Sequence, residues 1–240
     1  MCYFVEINLP RQALSERFHV PVPQDPRYMQ ANFLTAFTQP FLPVIALGNR
    51  NETDFFRWGL IPFWVKDIET AKKIRNSTYN ARSESVWEKP AFRSAINNSR
   101  CLVLAHGFYE WQTKGQMKIP YYIRNEDDLP FAFAGISENW INKETGEILN
   151  TVSILTKKAN PFMEKIHNTK KRMPVILSKE FEFSWIDTEM KKEDLEEMIE
   201  KSNPELQAHS INKNLISGNF DPHNPEITEP YSYEDQSRMF

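Results

Sequence analysis

Apolar positions along this chain fall into two kinds of pattern. Short runs rich in β-branched and aromatic residues predict strands at Cys2–Ile7, Val44–Leu47 and Phe55–Leu60. Cys101-Leu-Val-Leu-Ala is continuously apolar, as in a strand buried on both faces. Gly107 breaks that run, and Phe108–Gln112 resumes as extended chain. Further strands are predicted at Pro120–Ile123, Phe131–Ala134, Thr151–Leu155 and Val175–Leu177. Helical spacing marks other segments. Arg11–Arg17 reads as a short helix and Ile68–Asn76 as a polar one. Pro90 is expected at the first position of a helix carrying Phe92, Ala95 and Ile96. Asn160 as cap and Pro161 at the first position open a helix running to about His167. Leu195, Met198 and Ile199 mark a helix over Lys192–Lys201 with an acidic outer face. From about Ser217 the chain is expected to be irregular and to wrap the surface in part. The sum is an α+β fold: one compact domain over residues 1–230, with an antiparallel β core and peripheral short helices, and a tail at 231–240.

Composition narrows the chemistry. Only 7 of 240 residues are Gly, and no GxGxxG or GxxxxGK[ST] pattern occurs, which argues against a dinucleotide fingerprint or phosphate loop. Two cysteines, Cys2 and Cys101, supply neither a disulfide framework nor a Cys-rich zinc site. The first residues have no signal-peptide pattern, and no apolar run approaches the roughly 18 residues of a membrane helix. A reducing cytosol is the expected compartment, with no metal, cofactor or membrane partner and a monomeric state. The net charge of −3 hides an asymmetry. Residues 187–240 hold 13 acidic and 5 basic side chains, a net of −8, which leaves 24 basic and 19 acidic upstream, a net of +5. That separation allows a basic patch for a polyanion.

Four constellations carry chemistry. Cys2 follows the initiator Met, and removal of Met1 would leave an α-amine (pKa about 8) beside a thiol (about 8.5) on one residue. Such a 1,2-aminothiol condenses with an aldehyde and closes a five-membered thiazolidine; Cys2 also fits the start of a buried strand. In Tyr79-Asn80-Ala81-Arg82, an extended backbone turns Asn80 and Arg82 to one side, where amide and guanidinium suit a phosphate or sugar, unless the segment is a solvated loop. Glu110 lies between large aromatics, and its burial would raise its pKa toward proton transfer, or it serves an ion pair. His167 closes a helix before Lys170, Lys171 and Arg172, as proton donor or as helix cap. Trp64, in an aromatic stretch, can stack on nucleobases or belong to the core.

Taken together, WGLIPFW, YNARSES, KPAFRSAI, CLVLAHGFYEW, FAFAGISENW and IH…RMPVIL resemble the SRAP family of SOS response-associated peptidases, or abasic-site-processing proteins, from Met1 to about Pro230. The resemblance implies a β-rich fold that binds single-stranded DNA and forms a thiazolidine crosslink at abasic sites. It implies that the Cys2 amine attacks C1′ of the opened sugar and the thiolate closes the ring. Asn80 would orient the adduct, Glu110 would move protons, and His167 would protonate the departing sugar oxygen. Phosphates would be held by Arg82 with Lys170, Lys171 and Arg172, and bases would stack on Trp64. The chain departs from the family pattern at three places. Tyr3-Phe4 stands where Gly-Arg is usual, and Ala105-His106-Gly107 where Ala-Asp-Gly is usual. Asn168, Thr169, Lys170 and Lys171 separate His167 from Arg172, where one residue is usual. Two rival readings remain: a cysteine hydrolase using Cys2, His167 and Glu110, with self-removal of the N-terminal residue as one form, and a binding module without chemistry.

Overall fold

The computed structural model describes residues 2–46 and 49–233. Met1, Leu47 at the end of one expected strand, and residues 234–240 of the expected tail lie outside the described residues. In chain order the elements are β1 (Phe4–Glu6), α1 (Arg11–Phe18), β2 (Leu34–Thr35), β3 (Phe41–Ala46), β4 (Asn49–Trp58), α2 (Ile68–Arg75), β5 (Asn80–Arg82), α3 (Arg93–Asn98) and β6 (Arg100–Ala105). They continue with β7 (Gly107–Lys114), β8 (Met117–Asn125), β9 (Phe131–Ile141), β10 (Ile148–Lys158), α4 (Pro161–Ile166), β11 (Arg172–Pro174), α5 (Glu182–Trp185), α6 (Lys192–Lys201) and β12 (Leu206–Ser210).

Two sheets result. The first runs β12-β8-β7-β1-β2, and the second β11-β10-β4-β3-β6-β9. Because β9 also pairs with β10, the second sheet closes on itself and leaves few open edges. Its apolar positions serve two cores. Val44, Val103, Phe133 and Ile154 share one core with Val5, Phe108 and Ile123 of the first sheet. Ile45, Leu102, Leu104 and Ala134 belong to the other, with residues of α1, α3, α5 and α6. Burial on both faces is why Cys101–Ala105 is apolar without alternation. The chain passes from one sheet to the other at His106, between β6 and β7. Gly107 follows because an added Cβ would run into the Tyr122 ring of β8.

Several expectations need correction. The core is antiparallel except where β10 runs parallel to β4 and β5. Pro90 does not open a helix. Successive turns through Ser85 and Lys89 delay the helical register to Arg93. Val175–Leu177 makes one bridge, Phe133↔Ile176, and its backbone bonds are divided between Ala132 and Ala134 of β9 and Leu155 of β10. Strand β12, whose only alternating apolar positions are Leu206 and Ala208, forms by pairing with β8. The segment after Ser217 is irregular and lies along the surface as expected, apart from a 3₁₀ turn at Pro225–Thr228, and it is anchored at two points. Pro222 O accepts from Asn32 and Phe33, and Ile227 is fully buried.

Candidate active site

Strand β1 is short and central, lying between β7 and β2, and its ladder fixes the start of the chain. Ala36 N–H donates to Tyr3 O at 2.8 Å, and Cys2 is fully buried at 0% exposure. The Cys2 Sγ lies 3.8 Å from the Phe4 carbonyl. Strand β5 lies alongside β10, with Asn80 opposite Ile154. That register aims the Asn80 amide at the chain start, where its Nδ2 donates to Cys2 O at 2.8 Å. The Asn80 Oδ1 is buried without a hydrogen-bond partner among the described residues. Arg82, two residues along, is exposed on the same side of β5, as the alternation predicts.

The acid–base pair comes from β7 and the end of α4. Glu110 is 4% exposed, and burial pushes its pKa up to about 7. Helix α4 starts where Asn160 accepts from Met163 N–H at 2.9 Å, and it ends at His167. The His167 Nδ1 donates to the Arg172 carbonyl at 2.8 Å, which leaves the neutral ring's acceptor lone pair on Nε2. Burial lowers the His167 pKa, and its Nδ1 lies 3.7 Å from Glu110 Oε2. The Cys2 thiol is pushed up by burial first and then by the Glu110 charge. Cys2, Asn80, Glu110 and His167, far apart in sequence, thus form one group.

The expected DNA contacts divide. Lys170 and Lys171 are exposed, with Lys171 Nζ 3.5 Å from Glu164. Arg172 faces inward at 9% exposure, which corrects its expected place among open phosphate ligands. Its guanidinium is forked onto Glu84 and also reaches Thr156 O at 2.6 Å. Trp64 is 44% exposed, but its indole N–H turns to Pro90 O at 3.3 Å rather than to any of the four grouped residues. Sequence reasoning missed Phe37. It is 61% exposed and stacks on Tyr3 with ring centroids 5.3 Å apart, and Tyr79 meets both rings edge-on. No periodicity marks Phe37, because a single 3₁₀ turn at Ala36–Thr38 presents it. Among the described residues, no cluster of three or more His, Cys, Asp or Glu is arranged to hold a metal ion, and no helix is long and apolar enough to cross a membrane.

The sequence profile described as "SOS response associated peptidase (SRAP)" matches residues 1–217. The chain belongs to the SRAP family. Among SRAP relatives, the abasic site processing protein YoaM of Bacillus subtilis is 40% identical over 159 residues. That match spans 66% of this chain and 66% of YoaM. The abasic site processing protein HMCES of Gallus gallus is 35% identical over 140 residues, covering 50% of this chain and 40% of its own. The SRAP fold is seen in a crystal structure of a protein from Bacteroides thetaiotaomicron. It matches with a TM-score of 0.87 and 33% identity over 96% of this chain and all of the other.

Proposed function

We propose that this chain, once Met1 is removed, captures abasic sites in single-stranded DNA as a covalent adduct of Cys2. The observation that carries the reading is the Cys2 environment: a buried cysteine, which removal of Met1 would turn into an aminothiol, with its carbonyl held by Asn80 beside a carboxyl group whose pKa burial raises to about 7. The names of the relatives, abasic site processing proteins, support the lesion as the substrate class.

The chemistry follows from these groups. The freed Cys2 amine attacks the C1′ aldehyde of the opened sugar, and the carbinolamine loses one water to give an imine. The Cys2 sulfur then adds to the imine carbon while its proton passes to the imine nitrogen, closing the thiazolidine. Glu110, poised near neutrality, takes protons as the carboxylate and returns them as the acid. The lowered pKa of His167 keeps its ring neutral near pH 7, with a hydrogen-bond-accepting nitrogen and no extra proton to give, so protonated Glu110 is the better donor to the departing sugar oxygen. The orphan Asn80 Oδ1 is an acceptor suited to the new amine. Arg82, Lys170 and Lys171 would hold phosphates, and Phe37 and Trp64 offer ring faces to unpaired bases.

A hydrolase mechanism fits less well. It needs a thiolate paired with an imidazolium, yet burial raises the Cys2 pKa and lowers that of His167. The test is incubation with an abasic oligonucleotide, read by denaturing gel. A stable adduct without reductant, lost in Cys2→Ala, is expected. Cleavage of a peptide substrate with no adduct would favour the hydrolase.

A further inference from the structure

The four residues between His167 and Arg172 make contacts that bear on the site. Asn168 reaches across to β7 and pairs with both backbone groups of Thr113. Thr113 N–H donates to Asn168 Oδ1 at 3.0 Å, and Asn168 Nδ2 donates to Thr113 O at 2.8 Å. Strand β1 pairs with β7 only at Gly107 and Phe108, so Thr113 lies beyond its reach. The Asn168 amide therefore stands where a neighbouring strand would. One turn earlier, the Gln112 amide donates to Lys165 O at 2.8 Å, on the last turn of α4. The far end of the segment is also tied. Lys171 N–H donates to His167 O at 2.9 Å, and Ala159 N–H to Lys171 O at 3.0 Å. Lys171 has φ 49°, a left-handed conformation that a non-glycine residue keeps only where its neighbours hold it.

These bonds join the end of α4 to the same strand that carries Glu110. We infer that Asn168 is a positioning residue, and that residues 168–171 form a brace setting the His167 imidazole against Glu110. The brace acts through backbone and imidazole placement and touches no reacting atom. The rate half of its test rests on the proposed function, and the spectroscopic half does not.

The experiment compares the full chain with Asn168→Ala and Asn168→Gln. The Asn168 bonds are solvent-exposed, so both variants should fold, which a melting curve checks. First, the His167 ring nitrogens are followed by NMR against pH in the free protein. The wild type should show one neutral tautomer, protonated at Nδ1, titrating below the ordinary histidine range. Asn168→Ala should mix the tautomers and bring the titration back toward that range. Second, adduct formation is timed at saturating abasic oligonucleotide. Asn168→Ala should slow it on the order of 10-fold with DNA affinity unchanged, since small misplacements of a reacting group cost rate more than binding. Asn168→Gln, which keeps the amide, should recover part of both signals. Unchanged titration and rate in Asn168→Ala would overturn the brace, as would a rate loss explained wholly by weaker DNA binding. If the wild type forms no adduct, the proposed reaction fails while the His167 titration still decides the brace.

Discussion

Burial gives Glu110 and His167 opposite perturbations. The carboxyl holds its proton up to about pH 7, and the imidazole gives its own up early. Adduct formation limited by the Glu110 carboxylate should therefore rise with pH through about 7 and then level, which a pH–rate profile under single-turnover conditions checks. Glu110→Gln keeps size and polarity but removes the base. It should slow adduct formation by roughly 10²-fold while DNA affinity is kept. The linkage to stability has a definite sign. An unfolded glutamate titrates near 4.3, so the native state's preference for protonated Glu110 stabilises fully below that value and is lost as pH rises through the folded value. The glutamine variant cannot ionise, and its melting temperature should fall less between pH 5 and 8 than the wild type's, in a pH range set by roughly these two pKa values. An equal fall in both would mean that the Glu110 carboxylate is not buried as described. At this scale the four grouped residues were legible because motifs name them. Phe37 and Asn168 were not, since one depends on a single 3₁₀ turn and the other on a strand edge 55 residues away in sequence.

Elements with strong local signals match their predicted bounds. Asp67 caps α2 by accepting from Thr70 N–H at 2.8 Å, and α4 and α6 start and bury the residues their patterns mark. Elements made by pairing were harder to read. Strand β12 is half-buried throughout, and β5 is a three-residue strand whose extended form depends on β10. The parallel pairs β10·β4 and β10·β5 join segments far apart in sequence, which local pattern does not encode. Gly107 shows the same dependence on a neighbour. Tyr122 fills the space a Cβ would need, so Gly107→Ala should overpack the β7–β8 contact and cost about 1–3 kcal/mol, read from denaturant unfolding. A neutral result would mean the Tyr122 ring moves aside at little cost.

For the whole molecule, charge and lesion capture meet. The excess of basic groups in residues 1–186 predicts that affinity for single strands falls with salt as phosphates are neutralised. Duplex of the same length should bind more weakly, because Phe37 and Trp64 need unpaired bases to stack on. Equal affinity for both forms, or none of the salt dependence, in a fluorescence-anisotropy titration would count against a DNA site here. The fold class was legible from alternation and apolar runs. Closure of the second sheet through β9 and β10 was not, because it is a property of register between distant strands. The central claim is that the α-amine and the thiol of Cys2 act together, and denaturing mass spectrometry of three preparations on one abasic oligonucleotide tests it most directly. Processed protein should gain the mass of the oligonucleotide less one water. Cys2→Ala, processed in the same way, keeps an amine and should yield an adduct only when borohydride traps the imine. Protein that retains Met1 carries an amide at that nitrogen and should form no thiazolidine, although its thiol is intact. Crosslinking of the Met1-retaining form as fast as the processed one, with Met1 still present at the end of the assay, would contradict the account.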